Sequence, residues 1–380
     1  MTSGRAQGLD TLRALAIALV FAYHYRVFVS DAPSLGWFSA VGWIGVDLFF
    51  VLSGYLIANQ VLAGTVIGRP LSLCSFYLRR ALRTWPAFWF TLAAYALFRP
   101  QLGGKEPPPL WAFLSFTQNI GLQPGTAFSH AWSLCIEEQF YLVFPLVVLL
   151  ATRIGSRRSH AWWLLGASML AGIALRALLW SRYGGEESGS ADGYYPHIYY
   201  ATLCRADEFL PGIAVALLKN RHPQLWLRIT EHGHALLLGG LMAIGALVWA
   251  LLRTYYVDGV GYGFFMTAFG YSLVAAAFAV LVVAALSPSS WLYRCHVPGA
   301  QQLALWSYSI YLAVAHVLQA ATKTLGWPAW GLWASVVVAS LLVGALMYRF
   351  VETPFMRLRQ SWAPSVFAPP PGRQQGHTMC

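Results

Sequence analysis

An all-α polytopic membrane protein is the fold class this sequence predicts, and three observations predict it. Only 10% of its 380 residues are charged and 58% are hydrophobic, against about 25% charged in an ordinary soluble domain. Apolar stretches of roughly 15 to 21 residues recur, enough to cross a hydrocarbon core of about 30 Å with some tilt or snorkelling. They lack the alternation of strands, and lipid offers no partner to open backbone groups, so they must be helices.

Ten spans follow in order: 9–29, 41–62, 82–98, 138–152, 161–181, 206–218, 235–253, 266–286, 303–322 and 330–350. The first reads as an uncleaved anchor, because "SDA" at 30–32 is a weak cleavage signal and the apolar run before it lacks the short core of a signal peptide. With the N-terminus placed in the cytoplasm, sixteen Lys and Arg fall in inner segments and seven in outer ones. Both termini are then cytoplasmic, in agreement with the positive-inside rule. Residues 1–356 read as a membrane domain and 357–380, with "APPPGRQQGH", as a short disordered cytoplasmic tail.

The net charge of +11 does not point to nucleic acid, since the cations lie between apolar spans rather than on one soluble face. The cysteines Cys74, Cys135, Cys204, Cys295 and Cys380 are too scattered for a metal-ligand pattern, so no metal site is expected.

Several spans carry residues that lipid penalises. In "RALAIALVFAYHY", eleven helical steps bring His24 back to within about 20° of Arg13, roughly 16 Å along the axis. Ionisable groups inside a span are a functional hypothesis. The plainer reading is that Arg13 snorkels to headgroups and His24 is a satisfied interfacial histidine. Asp10, one turn before Arg13, is placed to pair with it. Asp47 in "VGWIGVDLFFVLSGYLI" needs a partner, while Ser53 and Gly54 suit close helix packing. In "FYLRRALRTWP", Arg80 and Arg83 share a face at the cytoplasmic end of the third span. Such a pair suits phosphate, and composition alone favours ordinary anchoring. Glu137 and Glu138 in "HAWSLCIEEQFY" project in different directions, so one is expected to face protein and one water. His316 lies in the ninth span and Glu352 at the inner end of the tenth.

Taken together, Arg13-x10-His24, "GVDLFFVLSGYLI", "FYLRRALRTWP", "WSLCIEEQFY", "SYSIYLAVAH" and "RFVETP" resemble the integral-membrane acyltransferase-3 family, from about Gly8 to Phe355. The resemblance implies a membrane O-acyltransferase of the bacterial inner membrane. It would pass an acyl group, most often acetyl from cytoplasmic acetyl-CoA, to a hydroxyl of a surface or exported polysaccharide or glycolipid intermediate. It implies that Arg13, His24, Arg80 and Arg83 are essential, and less firmly that Glu352 has a role. Some relatives carry a further esterase-like domain, and the expectation here is that none is present.

Residue chemistry is compatible with those roles. Arg80 and Arg83 can hold the donor's phosphates, and a neutral imidazole at His24 can accept a hydroxyl proton or carry the acyl group itself. Glu137, Arg205 and Asp207 are candidate contacts to the sugar. Cys135 reads as packing rather than as a competing nucleophile. His130 and His316 match family positions loosely, as substrate-positioning groups. The alternative class is a secondary transporter or glycan exporter without acyl chemistry, which intramembrane charges also suit; no inverted repeat is visible.

Overall fold

The computed structural model describes residues 6–30, 35–66, 71–98, 104–153, 158–185, 191–324, 329–363 and 365–367. Ten long or span-related helices organise it: α1 Gln7–Tyr25, α2 Ile44–Val66, α3 Leu73–Leu97, α4 Trp132–Arg153, α5 Arg158–Tyr183, α6 Leu210–Arg221, α7 Gly233–Thr254, α8 Tyr271–Leu286, α9 Ala300–Thr324 and α10 Ala329–Met347. An eleventh, α11, runs over Thr353–Trp362. Each predicted span falls on one of the first ten. Among the described residues, seven segments are long and apolar enough to cross a membrane, centred on α1, α2, α4, α5, α7, α8 and α10. Two of the others depart for visible reasons. The 12 residues of α6 rise only about 18 Å, and α3 carries Arg79, Arg80 and Arg83 in its first half.

Burial sorts the bundle into a centre and a rim. The apolar windows of α2 and α8 are 67% and 72% buried, whereas those of α5 and α7 are 11% and 17% buried. Leu164, Leu170 and Leu178 of α5, and Leu238, Leu241, Met242 and Trp249 of α7, are correspondingly exposed. In a bilayer these apolar faces would meet lipid chains.

Glycines let the central helices touch backbone to backbone. A Cβ on Gly45 would sit 2.5 Å from the carbonyl oxygen of Ala16, so α1 and α2 close on each other there. A Cβ on Gly212 would sit 2.1 Å from the carbonyl oxygen of Val51, and one on Gly54 2.3 Å from that of Phe209. Of the small residues read for packing in the second span, Gly54 packs against the turn before α6, while Ser53 turns to Glu137 of α4.

Some structure departs from a purely helical reading. Among the described residues, π-helical turns extend or precede long helices at Arg26–Ser30, Met266–Gly270 and Tyr348–Glu352, and a fourth, Tyr195–Tyr199, lies between two short helical turns. A two-stranded antiparallel ribbon pairs Tyr256 with Tyr262 and Val257 with Gly261. The domain boundary expected at residue 356 falls inside α11, which packs on α3. Beyond it the chain stays attached: Ser72 donates its N–H to the carbonyl of Val366 at 2.9 Å, and Leu71 bridges Phe367. The "SDA" stretch, residues 186–190 of the acidic loop and residues 368–380 of the tail lie wholly or mainly outside the described residues, as does the His316 side chain.

Candidate active site

The described chemistry has two ends, joined by polar side chains. One end is a cavity of about 200 Å³ around His24. Aromatic rings make most of its wall, with Tyr23, Trp43, Tyr95, His130, Trp132 and Tyr311 among them. His24 is fixed from below: its Nδ1 lies 2.8 Å from the carbonyl oxygen of Val20. A carbonyl can only accept, so Nδ1 carries the proton and donates it. In the neutral ring Nε2 then holds a lone pair. The rings of Phe28, His130 and Tyr311 surround it, with centroids 5.8, 6.3 and 6.4 Å away.

The opposite wall is held by a network from α4 and α9. Tyr311 donates its hydroxyl proton to the carbonyl of His130 at 2.5 Å, and Ser133 lies 2.7 Å from the same hydroxyl. His130 Nε2 is 3.2 Å from the carbonyl of Leu312, to which it can only donate. Phe128, just before, has φ 63°, a region that L side chains rarely occupy. Its ring packs on His130 at 5.1 Å and Tyr95 at 4.8 Å, contacts that hold the strained backbone in place.

The other end is a cluster of guanidiniums on α3 and α11. Arg83 forms an ion pair with Glu352 at 3.0 Å. Charge rather than hydrogen-bond alignment sets this contact, since Glu352 Oε2 has no aligned donor. Glu352 sits at the end of the π-helical turn after α10 and also accepts from Ser309 of α9. Arg80 donates to Gln60 at 3.3 Å, and its guanidinium lies 5.5 Å from the Tyr141 ring centre. Arg79 donates to the carbonyl of Ala363.

A column on α4 spans the distance between the ends. Ser133, Glu137 and Tyr141 are four apart and share one face. Glu137 accepts from Ser53 at 3.2 Å and from Tyr141 at 2.9 Å. Arg13, half-buried on α1, is within electrostatic reach of Glu137, Asp10, Tyr141 and Arg83. Glu138 turns to α3, accepting from Thr84 at 2.6 Å and Trp85 at 3.2 Å. The expectation that one of the paired glutamates faces water is therefore corrected: protein donors take both carboxylates.

Arg205 and Asp207, read as candidate sugar contacts, lie elsewhere. Neither lines the cavity. Arg205 is fully buried, pairing with Asp47 at 2.5 Å and with Glu208, under the rings of Trp132, Tyr199 and Tyr271. Asp47 thus has the partner its place in a span requires. Asp207 accepts a forked pair from Arg176 at 2.6 and 2.9 Å. All five Arg176 N–H groups are used, the rest going to the carbonyls of Ala268 and Cys204 and to Ser272. Both arginines are buried and ion-paired within the protein. Glu137 is also absent from the cavity wall, lying between the two ends. Cys135 is fully buried and points at the carbonyl of Ala131, consistent with packing. Among the described residues no three His, Cys, Asp or Glu side chains gather as metal ligands.

The acyltransferase-3 family model, described as an acyltransferase domain, matches residues 7–349. The chain belongs to this family. The match covers both ends except α11 and the last residues of the turn before it, Glu352 among them. Among curated relatives of this acyltransferase-3 chain is a peptidoglycan O-acetyltransferase of Listeria monocytogenes, 28% identical over 379 residues, covering 92% of this chain and 55% of that protein. A Bacillus subtilis protein, whose name assigns it peptidoglycan O-acetylation provisionally, is 29% identical over 375 residues, covering 91% of this chain and 54% of its own length. A Staphylococcus aureus protein, provisionally named an O-acetyltransferase, is 25% identical and covers 94% of this chain and 59% of its own. The chain spans about half the length of the curated relatives it matches. No solved structure matches it.

Sequence reasoning passed over Tyr311, Ser309, Tyr95 and Arg359. The stretch "SYSIYLAVAH" holds the first two. On a helix Tyr308 and Tyr311 share a face. Tyr308 donates to the carbonyl of Thr84 at 2.9 Å, and Tyr311 lines the cavity.

Proposed function

We propose that this protein is an O-acetyltransferase of a bacterial inner membrane, with both termini cytoplasmic. It takes acetyl from acetyl-CoA bound at the arginine end and passes it to a glycan hydroxyl in the His24 cavity. The observation that carries this reading is the His24–Val20 hydrogen bond, which leaves Nε2 as a proton acceptor in an aromatic cavity. Family membership and the names of the relatives support acyl transfer, and the Listeria relative's name supports a cell-wall glycan as acceptor. The bias of Lys and Arg to one set of segments supports the orientation.

The donor's phosphates bind Arg80 and Arg83, whose forks suit phosphate oxygens. Its thioester arm runs along the α1 face from Arg13 to His24, roughly 16 Å by helical rise. The acceptor hydroxyl attacks the thioester carbonyl while its proton passes to His24 Nε2. The carbon–sulfur bond then breaks, and the CoA thiolate takes the proton back from the imidazolium. Direct attack needs no second carrier. Aromatic walls suit the apolar faces of a sugar ring, and Tyr95 and Tyr311 are placed on them.

Reconstitution with acetyl-labelled acetyl-CoA and a glycan acceptor tests this. Label is expected in the glycan with the native chain and absent with His24→Ala. Glycan movement across the bilayer with no label in it would replace acyl transfer with export. Full transfer by His24→Ala would remove His24 from the chemistry.

A further inference from the structure

The geometry points to Arg359 as a further donor-binding residue: with Arg79, Arg80 and Arg83 it forms a phosphate clamp that makes α11 one wall of the CoA site. This rests on the acyl-CoA reading above, and concerns a helix that the family match does not reach.

α11 packs on α3, which brings Arg359 within electrostatic reach of Arg79, Arg80 and Arg83. Three of the four have protein partners: Arg79 the carbonyl of Ala363, Arg80 Gln60, and Arg83 Glu352 with Met356. Arg359 Nε, in contrast, is buried with no hydrogen-bond partner among the described residues. An unpaired N–H of a cation is costly to bury. The nearby carboxylates are Glu352, on Arg83, and Glu138, already accepting from Thr84 and Trp85. Four cations against two acids leave a positive surplus that repels itself. Such a cluster is stabilised by an anion with several charged oxygens.

The chain invests in holding α11 there. The Arg79 bond to Ala363, the Ser72 bond to Val366 and the Leu71–Phe367 bridge tie the segment after α11 to the start of α3. Simple anchoring to headgroups would instead leave the arginine heads in water. Arg357, two residues earlier on α11, is exposed in that way.

The ligand chemistry is phosphate, which CoA and an anionic lipid both offer; we assign the clamp to CoA, with its diphosphate and its ribose phosphate. The test measures CoA and dephospho-CoA binding to purified full-length protein in zwitterionic nanodiscs, for the native chain, Arg359→Gln, Arg359→Lys and Arg357→Gln. The native chain is expected to bind CoA. Arg359→Gln weakens binding about 10-fold or more, in line with loss of a charge-assisted contact, and narrows the preference for CoA over dephospho-CoA. Arg359→Lys recovers part of the loss, and Arg357→Gln changes nothing. In steady-state assays the loss falls on KM for acetyl-CoA and not on kcat. Equal CoA binding by native and Arg359→Gln protein overturns the clamp. So does an effect of Arg359→Gln confined to nanodiscs with anionic lipid, which would make it a lipid anchor. If the native chain binds no CoA, the donor reading itself falls, a result distinguishable from either of these.

Discussion

His24 gives its Nδ1 proton to the carbonyl of Val20, 2.8 Å away and one helical turn back. The bond settles which ring nitrogen is the donor, and leaves Nε2 as an acceptor in the neutral ring. His24→Ala is therefore expected to lower kcat by about 100- to 10,000-fold, the usual contribution of a positioned general base. CoA binding, which the proposed reaction places at the arginine end, is expected to stay within about twofold of native. Single-turnover assays beside equilibrium CoA binding check both halves. Loss of CoA binding in this variant would mean that His24 holds the donor and does not take the proton.

The Arg83–Glu352 ion pair joins the helix that carries the arginines to the turn after α10. Glu352 is buried and Arg83 is 21% exposed, so the pair is largely shielded from water. Glu352→Gln keeps an acceptor for Ser309 and removes the charge. It is expected to cost about 1–3 kcal/mol of stability, and less than half of that when Arg83 is already Gln. Denaturant unfolding of both singles and the double variant in one detergent gives the coupling. Additivity within about 0.5 kcal/mol would show that the two side chains do not act as a pair.

How far the sequence disclosed this site depends on the range of each signal. The Arg13–His24 alignment and the Arg80–Arg83 face follow from helical repeat alone, because both are local. The helices themselves were legible because hydrophobic length is local too. What joins distant segments was not. Asp47 announced that it needed a partner, but nothing local says that the partner is Arg205, 158 residues away. Arg205 and Asp207, at the start of the sixth predicted span, read as candidate sugar contacts and prove to be buried, since ion pairing can bring charges inside. The residues after 356 read as a tail by composition, while their contacts to Leu71, Ser72 and Arg79 depend on chain folding back.

The contact between α2 and α6 leaves no room for a side chain at Gly212, where a Cβ would lie 2.1 Å from the carbonyl of Val51 and 2.7 Å from the amide nitrogen of Tyr55. Both obstacles are backbone, so the helices must separate to admit one. Gly212→Ala is expected to destabilise by about 1–3 kcal/mol, and Gly212→Val by more. Gly239, with nothing near its Cβ direction, serves as the control, and Gly239→Ala is expected to be neutral or mildly stabilising. Thermal unfolding in detergent reads all three. A native-like melting temperature for Gly212→Val would mean that α6 is free to shift away from α2.

Arg205 separates a structural role from sugar recognition most sharply. Its guanidinium lies between Asp47 and Glu208 and is capped by Trp132, Tyr199 and Tyr271, with no water-exposed surface. Arg205→Gln leaves two buried carboxylates near each other without their cation. Breaking a buried pair by deleting one partner costs about 3–5 kcal/mol. The variant is therefore expected to fold poorly, with little protein recovered in the membrane. Arg205→Gln combined with Asp47→Asn and Glu208→Gln removes the charge imbalance and should recover much of the folded yield. In that triple variant KM for the acceptor is expected to stay near native, because none of the three residues lines the His24 cavity. A stable Arg205→Gln protein with a sharply raised acceptor KM would instead return Arg205 to the sugar site.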